Sequence, residues 1–288
     1  MPFRLSPVSL TIFENTRIEG MHTDKTSSEA NQNRKAIWKK GSPLVSIITV
    51  VYNDAQGLEK TIQSILDQSY PNIEHIIIDG ASTDSTLDVI KRTEDKIGYW
   101  LSEPDSGLYD AMNKGLKAAS GDYVWFMNAG DLIHKVDTIE KIFSGESEPA
   151  DIYYGDTMVV NEAYEQIGLR RLRPPEQLTW KSFRQGMLVC HQAILVKRDL
   201  ADPYNLRYSH SADFDWVIKA LKKTNKIKNT RLVLASFLDG GHSKQNIRPS
   251  LRERFHSMSR HYGFLPTLLC HIPIAFRFLR FYSKEGRF

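Results

Sequence analysis

Apolar runs and amphipathic stretches alternate along the first half of the chain. Residues 44–51, Leu-Val-Ser-Ile-Ile-Thr-Val-Val, are almost continuously apolar and β-branched, the pattern of a strand buried on both faces. Residues 55–68 carry Leu58, Ile62, Ile65 and Leu66 at helical spacing, and Tyr70-Pro71 stops that helix. The same reading predicts strands at 73–79, 99–102 and 123–127, with helices at 84–92 and 106–119, the latter closed by Ser120-Gly121. This alternation implies right-handed βαβ crossovers and an α/β fold with a mainly parallel central sheet flanked by helices. Beyond Asp131 the pattern loosens. A helix is expected at 138–143, strands at 151–154 and 157–160 around a hairpin at Gly155-Asp156, a strand at 194–197, a helix at 213–223 and a strand at 232–237. No internal repeat is visible, so the second half reads as an extension of the same sheet.

Parallel strands joined by helices leave their carboxyl ends on one edge, where open α/β sheets bind ligands. Four short turns follow the apolar runs: Val50-Val51-Tyr52-Asn53, Asp79 to Asp84, Glu103 to Gly107, and Asn128-Ala129-Gly130-Asp131. Acidic groups repeated along that edge point to a metal-bound, phosphate-bearing ligand. Asp79 is placed to accept from a base imide or a ribose hydroxyl, whereas Asp84 reads as a turn and helix cap. Oxygen donors at Asn128 and Asp131 suit Mg²⁺ or Mn²⁺ shared with a diphosphate, although turns of this composition are also common without any ligand. Asp110, Asn113 and Lys114 share one helix face; Lys114 either reaches a phosphate or pairs with Asp110. Asp213 and Asp215 open a predicted helix, where its dipole stabilises acid, and Asp213 is also a candidate general base. Gly240-Gly241-His242-Ser243 reads as a loop able to close on a substrate, with His242 a candidate metal or phosphate contact.

Composition narrows this picture without changing it. At 288 residues and 33.0 kDa the chain can bury a full core. The formal net charge of +4 is mild, but residues 248–288 carry Arg248, Arg252, Arg254, Arg260, Arg277, Arg280, Lys284 and Arg287 against Glu253 and Glu285. Such a segment is either a solvated face or a contact for an anionic partner. The two cysteines, Cys190 and Cys270, have no metal-ligand spacing and fit reduced thiols in a cytoplasmic setting. Residues 1–42 are polar and lack a secretory h-region, and Met21 is an alternative start. The expected organisation is a flexible extension over 1–42, a catalytic domain over 43–245 and a basic, apolar segment over 246–288. Within the last, Phe264, Leu265, Leu268, Leu269, Ile272 and Ile274 mix with Arg277 and Arg280, interrupted by Pro266 and Pro273. Such a segment suits a membrane interface, or a helix packed on the domain.

Taken together, the turns resemble those of an inverting family-2 glycosyltransferase of the GT-A fold. The resemblance is carried by Ser46 to Asn53, Ile78 to Asp84, Ser102 to Gly115, and Gly121-Asp122 through Asp131; it is thinner from His191 to Ser243. It lies nearest to bacterial enzymes that build exopolysaccharide or colanic-acid-type units. It implies that Val50, Tyr52, Asn53, Asp79, Lys114 and Asn128 bind a UDP-, GDP- or dTDP-sugar donor. Asp131 then holds Mn²⁺ or Mg²⁺, with His242 a further metal candidate. Asp213 becomes the general base, and His191 and Gln192 lie near a saccharide or polyprenyl-diphosphate-linked acceptor. The enzyme is expected in the cytoplasm, peripheral on the inner face of the membrane. The chain departs from the family pattern where Asn128, Gly130 and Ala212 replace acidic residues. A nucleotidyltransferase and a non-catalytic nucleotide-sugar sensor of the same fold are the alternatives. A basic glycine-rich loop, or the Gly-x-Gly-x-x-Gly of a dinucleotide enzyme, is missing after the first strand.

Overall fold

The computed structural model describes residues 42–144, 148–239 and 246–285, with side chains through Ile274 in the last helix. The expected N-terminal extension and the Gly240–Ser243 loop with His242 lie outside the described residues, save for Ser42.

β1 (Val45–Val51) is buried along its whole length. Its neighbours are β2 (Ile73–Asp79) and β4 (Tyr123–Phe126), both parallel to it, and β3 (Tyr99–Ser102) extends the sheet beyond β2. Three helices make the crossovers: α1 (Ala55–Leu66), α2 (Thr86–Thr93) and α3 (Leu108–Ala118). Successive residues of β2 serve different cores, as the pleat requires. Ile77 packs with Leu58, Ile62, Val89 and Ile90 of α1 and α2, whereas Ile76 and Ile78 join the cluster containing Met112 of α3. Gly115 lets α3 lie close on the sheet, since a Cβ there would stand 2.4 Å from Ile48 Cγ2.

Past β4 the pairing turns largely antiparallel. β8 (Ile194–Lys197) is antiparallel to both β4 and β6 (Ile152–Val160), and β9 (Ile227–Leu238) runs parallel to β6. β5 (Leu132–Ile133) pairs with β9, and β7 (Gln166–Leu169) pairs with β6. The order is β3-β2-β1-β4-β8-β6-β9-β5, with β7 beside β6. The remaining helices are α4 (Thr138–Phe143), α5 (Ala212–Lys222), α6 (Ile247–Tyr262) and α7 (Phe264–Glu285).

Two expectations are corrected here. Gly155-Asp156 is not a hairpin: β6 runs straight through it, and the turn lies at 161–165. Gly155 is there because β9 passes at close range; an added Cβ would meet the Leu232 carbonyl oxygen at 2.4 Å, and the register shifts beside it as at a bulge. Nor do Pro266 and Pro273 interrupt the last segment, which is helical throughout. Pro266 falls in the first turn, where no N–H bond is needed, and Pro273 costs the helix one. Among the described residues no helix is long and apolar enough to cross a membrane.

The Gly155 contact is with backbone, which cannot rotate away. Gly155→Ala should therefore lower the unfolding free energy by about 1–3 kcal/mol, read as a lower urea midpoint at unchanged slope.

Candidate active site

The β1 and β2 turns are stitched together. The Gly80 N–H donates to the Val51 carbonyl at 3.0 Å, the Asn53 N–H to Ser82 Oγ at 2.8 Å, and the Thr83 N–H to Asn53 Oδ1 at 2.8 Å. Asn53 and Ala81 both take left-handed backbone, φ 51° and 60°, strain that folded proteins keep at ligand sites. Asp79 is fully buried at the end of β2. Its carboxylate accepts from the Ser82 N–H at 3.2 Å and from Ser102 Oγ at 2.6 Å, so it fixes the floor between two loops. Above that floor stands Gly80, with the Asp105 carboxylate and the Tyr52 ring 2.6 and 3.3 Å from its missing Cβ. Tyr52 is 64% exposed, so an aromatic ring and a carboxylate stand together beside the bare Gly80 backbone. Asp84 belongs to the turn, one residue before the N-cap Ser85, and accepts the Thr86 N–H at 3.0 Å.

Lys114 is tied to the next loop. Its ammonium lies 2.8 Å from Glu103, 3.7 Å from Asp110 and 2.9 Å from the Pro104 carbonyl. Asn113 exchanges two bonds with the backbone of Tyr204, at 2.7 and 3.1 Å, which pins that distant loop to α3.

The Asn128–Asp131 turn hangs beside these loops, because the Ala129 N–H donates to the Val50 carbonyl at 3.1 Å. Thr61 of α1 supports it from below, accepting the Gly130 N–H at 3.0 Å. Asp131 is 5% exposed, and burial pushes its carboxyl up to about 7, against the opposing bonds from Gln192 and the Leu238 N–H. Gln192 Nε2 donates to Asp131 at 2.8 Å, while the Cys190 thiol donates to Gln192 Oε1 at 2.7 Å and orients the amide. Asn128 Oδ1 is buried with no hydrogen-bond partner among the described residues. Oxygen donors of this kind fit a hard divalent cation. Among the described residues, however, no three His, Cys, Asp or Glu side chains gather as a metal site.

Asp213 is the second residue of α5 and accepts from the Tyr109 hydroxyl at 3.1 Å. Behind them lies an aromatic wall: Tyr204 stacks on Tyr109 at 5.4 Å and on Trp216 at 5.2 Å, and Phe126 meets Tyr204 edge-on. Burial and the Asp213 charge raise the Tyr109 and Tyr204 phenols well above their ordinary value. His191, packed on Phe126, is pushed down by burial despite the pull of Asp213, and its Nε2 is buried without a partner among the described residues. Adjacent residues thus reach toward both carboxylates: Gln192 holds Asp131, and His191 packs edge-on against Tyr204, which stacks on the Asp213 partner Tyr109. Asp215 is different. It pairs with Lys219 of the same helix at 2.6 Å, while His261 of α6 meets it at 2.8 Å and so docks α6 on α5.

The structure brings Asp79, Asn128, Asp131, His191, Gln192 and Asp213 to one sheet edge. Tyr109, Tyr204 and Asp105 escaped the sequence reading, although Asp105 lies in a turn already singled out and Tyr109 in the helix that follows it.

Comparison with known proteins matches residues 46–202 to the family model described as Glycosyl transferase family 2. The chain belongs to that family. An uncharacterized glycosyltransferase of Mycobacterium tuberculosis is 31% identical over 86% of this chain and 95% of its own length. A PGL/p-HBAD biosynthesis glycosyltransferase of the same organism is 34% identical over 69% of this chain and 78% of its own. Among solved structures, the mannosyltransferase PcManGT of Pyrobaculum calidifontis, in complex with GDP-Man and Mn²⁺, aligns with TM-score 0.58 at 18% identity, over 91% of this chain and 83% of its own. TarS of S. aureus in complex with UDP aligns at 0.58 and 17%, over 75% and 65%. This family-2 chain is a glycosyltransferase with the GT-A fold.

Glu253 of α6 fixes the start of the helix bearing Asp213, accepting from the N–H groups of Ser209, His210 and Ser211 at 2.8–2.9 Å. Glu253→Ala should cost about 2 kcal/mol of stability and lower turnover more than donor affinity, as chemical denaturation and initial rates would show.

Proposed function

We propose that this glycosyltransferase moves a sugar from a nucleoside-diphosphate donor to an acceptor hydroxyl with inversion, in the assembly of a bacterial cell-surface glycan. The observation that carries the reading is geometric: Gln192 donates to Asp131, and its neighbour His191 packs edge-on against Tyr204, which stacks on the Tyr109 that donates to Asp213. The relatives support it: one is named for PGL/p-HBAD biosynthesis, and a putative teichuronic acid biosynthesis glycosyltransferase of Bacillus subtilis is 33% identical over 56% of this chain. The donor class is supported by neighbours solved with UDP, UDP-GlcNAc or GDP-Man.

In this reading Tyr52 and Asp105 flank the base over Gly80, and Asp79 sets the loops that hold it. Asn128 and Asp131 hold Mn²⁺ or Mg²⁺, which when bound offsets charge on the departing diphosphate. Asp213 takes the proton from the acceptor hydroxyl, and Tyr109 holds that carboxylate in place. Attack from the face opposite the leaving group inverts the anomeric centre, so no enzyme nucleophile is required. His191 and Tyr204 line the acceptor side.

The acceptor is carried on a lipid, and the enzyme is peripheral on the cytoplasmic side of the membrane. On α7, Phe264, Leu265, Leu268, Leu269 and Ile272 form one stripe with 49–69% of each residue exposed, while Thr267 on the other side is fully buried. Arg248 and Arg252 of α6 are exposed nearby, and Arg277 and Arg280 follow in sequence. Apolar stripe and flanking cations are what an anionic membrane surface binds.

Asp213→Asn should reduce transfer by about 10²–10⁴-fold while leaving the thermal shift produced by UDP or GDP intact; near-normal turnover would remove Asp213 from the chemistry. Leu265→Asp with Leu269→Asp should weaken binding to anionic vesicles by about tenfold or more, measured by co-sedimentation, with the melting temperature unchanged.

A further inference from the structure

The turn from Asn128 to Asp131 supplies only one carboxylate, and a divalent cation asks for more oxygen than that. Gly130 shows what else faces it. Its φ is +87°, and the place its Cβ would take lies 3.7 Å from Asp54 Oδ2 and 3.8 Å from the Tyr164 hydroxyl. Asp54 is the N-cap of α1, where Oδ1 accepts the Gly57 N–H at 2.9 Å, so Oδ2 is the atom turned to Gly130. Asp54 is thus a second carboxylate facing the turn that carries Asp131. Like charges gathered in this way favour a cation between them.

Tyr164 stands at the tip of the β6–β7 hairpin with φ +63°, a conformation that tyrosine adopts only when its surroundings impose it. The Lys60 ammonium lies 4.2 Å from its ring centroid, and the Tyr164 N–H donates to the Asn161 carbonyl at 2.8 Å. The hairpin thereby places a hydroxyl over the turn. Asn128, in the same turn, has its Oδ1 buried without a partner among the described residues.

We propose that Asp54 and the Tyr164 hydroxyl complete, with Asn128 and Asp131, an oxygen site for a divalent cation and the diphosphate it accompanies. Asp54 then supplies, from the β1–α1 loop, the carboxylate that the Asn-Ala-Gly-Asp turn lacks. The inference rests on the donor reading above and adds a ligand from a different loop.

Mn²⁺ binding to the full chain is measured by the paramagnetic signal of the free ion, with saturating UDP or GDP, whichever raises the wild-type melting temperature in EDTA. Asn caps a helix as well as Asp, so Asp54→Asn keeps the fold. The expected result is Mn²⁺ affinity reduced about tenfold or more in Asp54→Asn and Asp131→Asn, and a smaller loss in Tyr164→Phe, all with the EDTA nucleotide shift retained. Unchanged Mn²⁺ affinity in Asp54→Asn overturns the proposal, whether or not Asp131→Asn weakens it. If neither UDP nor GDP shifts the wild type, the donor reading has failed instead, and this inference falls with it.

Discussion

The site depends on the register of three parallel strands. β1 lies between β2 and β4 with Val51 opposite Asp79 and Ile48 opposite Phe126, and the carbonyls of Val50 and Val51 leave it on opposite sides, toward the β4 and β2 turns. One receives the Ala129 N–H and the other the Gly80 N–H. The two loops that carry the acidic groups are thus suspended from consecutive residues of one buried strand. A slip of one residue in β1 would turn its apolar side chains to the wrong face and separate the loops together. That coupling of core packing to loop position makes the edge stiff enough to hold carboxylates in register.

The opposite wall is built from distant sequence. Tyr204, held through its backbone by Asn113 of α3, sits between Tyr109 and Trp216 in a continuous stack. Asp213 meets this stack at the Tyr109 hydroxyl, while Trp125 of β4 donates its indole N–H to the Gln192 carbonyl at 2.8 Å. The first-half sheet therefore anchors both Asp131 and its partner Gln192. Aromatic side chains carry this because they fill large volume with few rotatable bonds, and Tyr and Trp each present a polar handle at the edge.

The first-half strands and helices were legible because hydrophobic period and turn composition agree there: β2, β3 and α4 fall where the pattern puts them. Gly155 misled because glycine serves both turns and close backbone approach, and only the position of β9 decides between them. The α6 helix has a polar average and docks by the Asp215–His261 contact and by Glu253 at the Ser209–Ser211 N–H groups, contacts that no local period announces. Asp213 and Asp215 illustrate the limit. Both open α5 and both gain from its dipole, yet one faces a tyrosine hydroxyl in the cleft and the other is neutralised against α6. Spacing of two residues on a helix separates their faces, but only the packing of α6 says which face is taken.

Buried polar atoms without partners sharpen the distinction between floor and working surface. Leaving such an atom unmatched costs about 1–3 kcal/mol, so a fold retains one where something else is gained. Asp79 is saturated by Ser82 and Ser102 and acts as floor. Asn128 Oδ1, His191 Nε2 and Tyr204 Oη are unmatched among the described residues, and all three flank the carboxylates at the sheet edge. Other unmatched atoms, such as those of Ser259 and Thr267, belong to α6 and α7. Unmet polarity beside paired carboxylates, in a wall otherwise made of aromatic rings, is what a site shaped for a hydroxyl-rich, charged ligand requires.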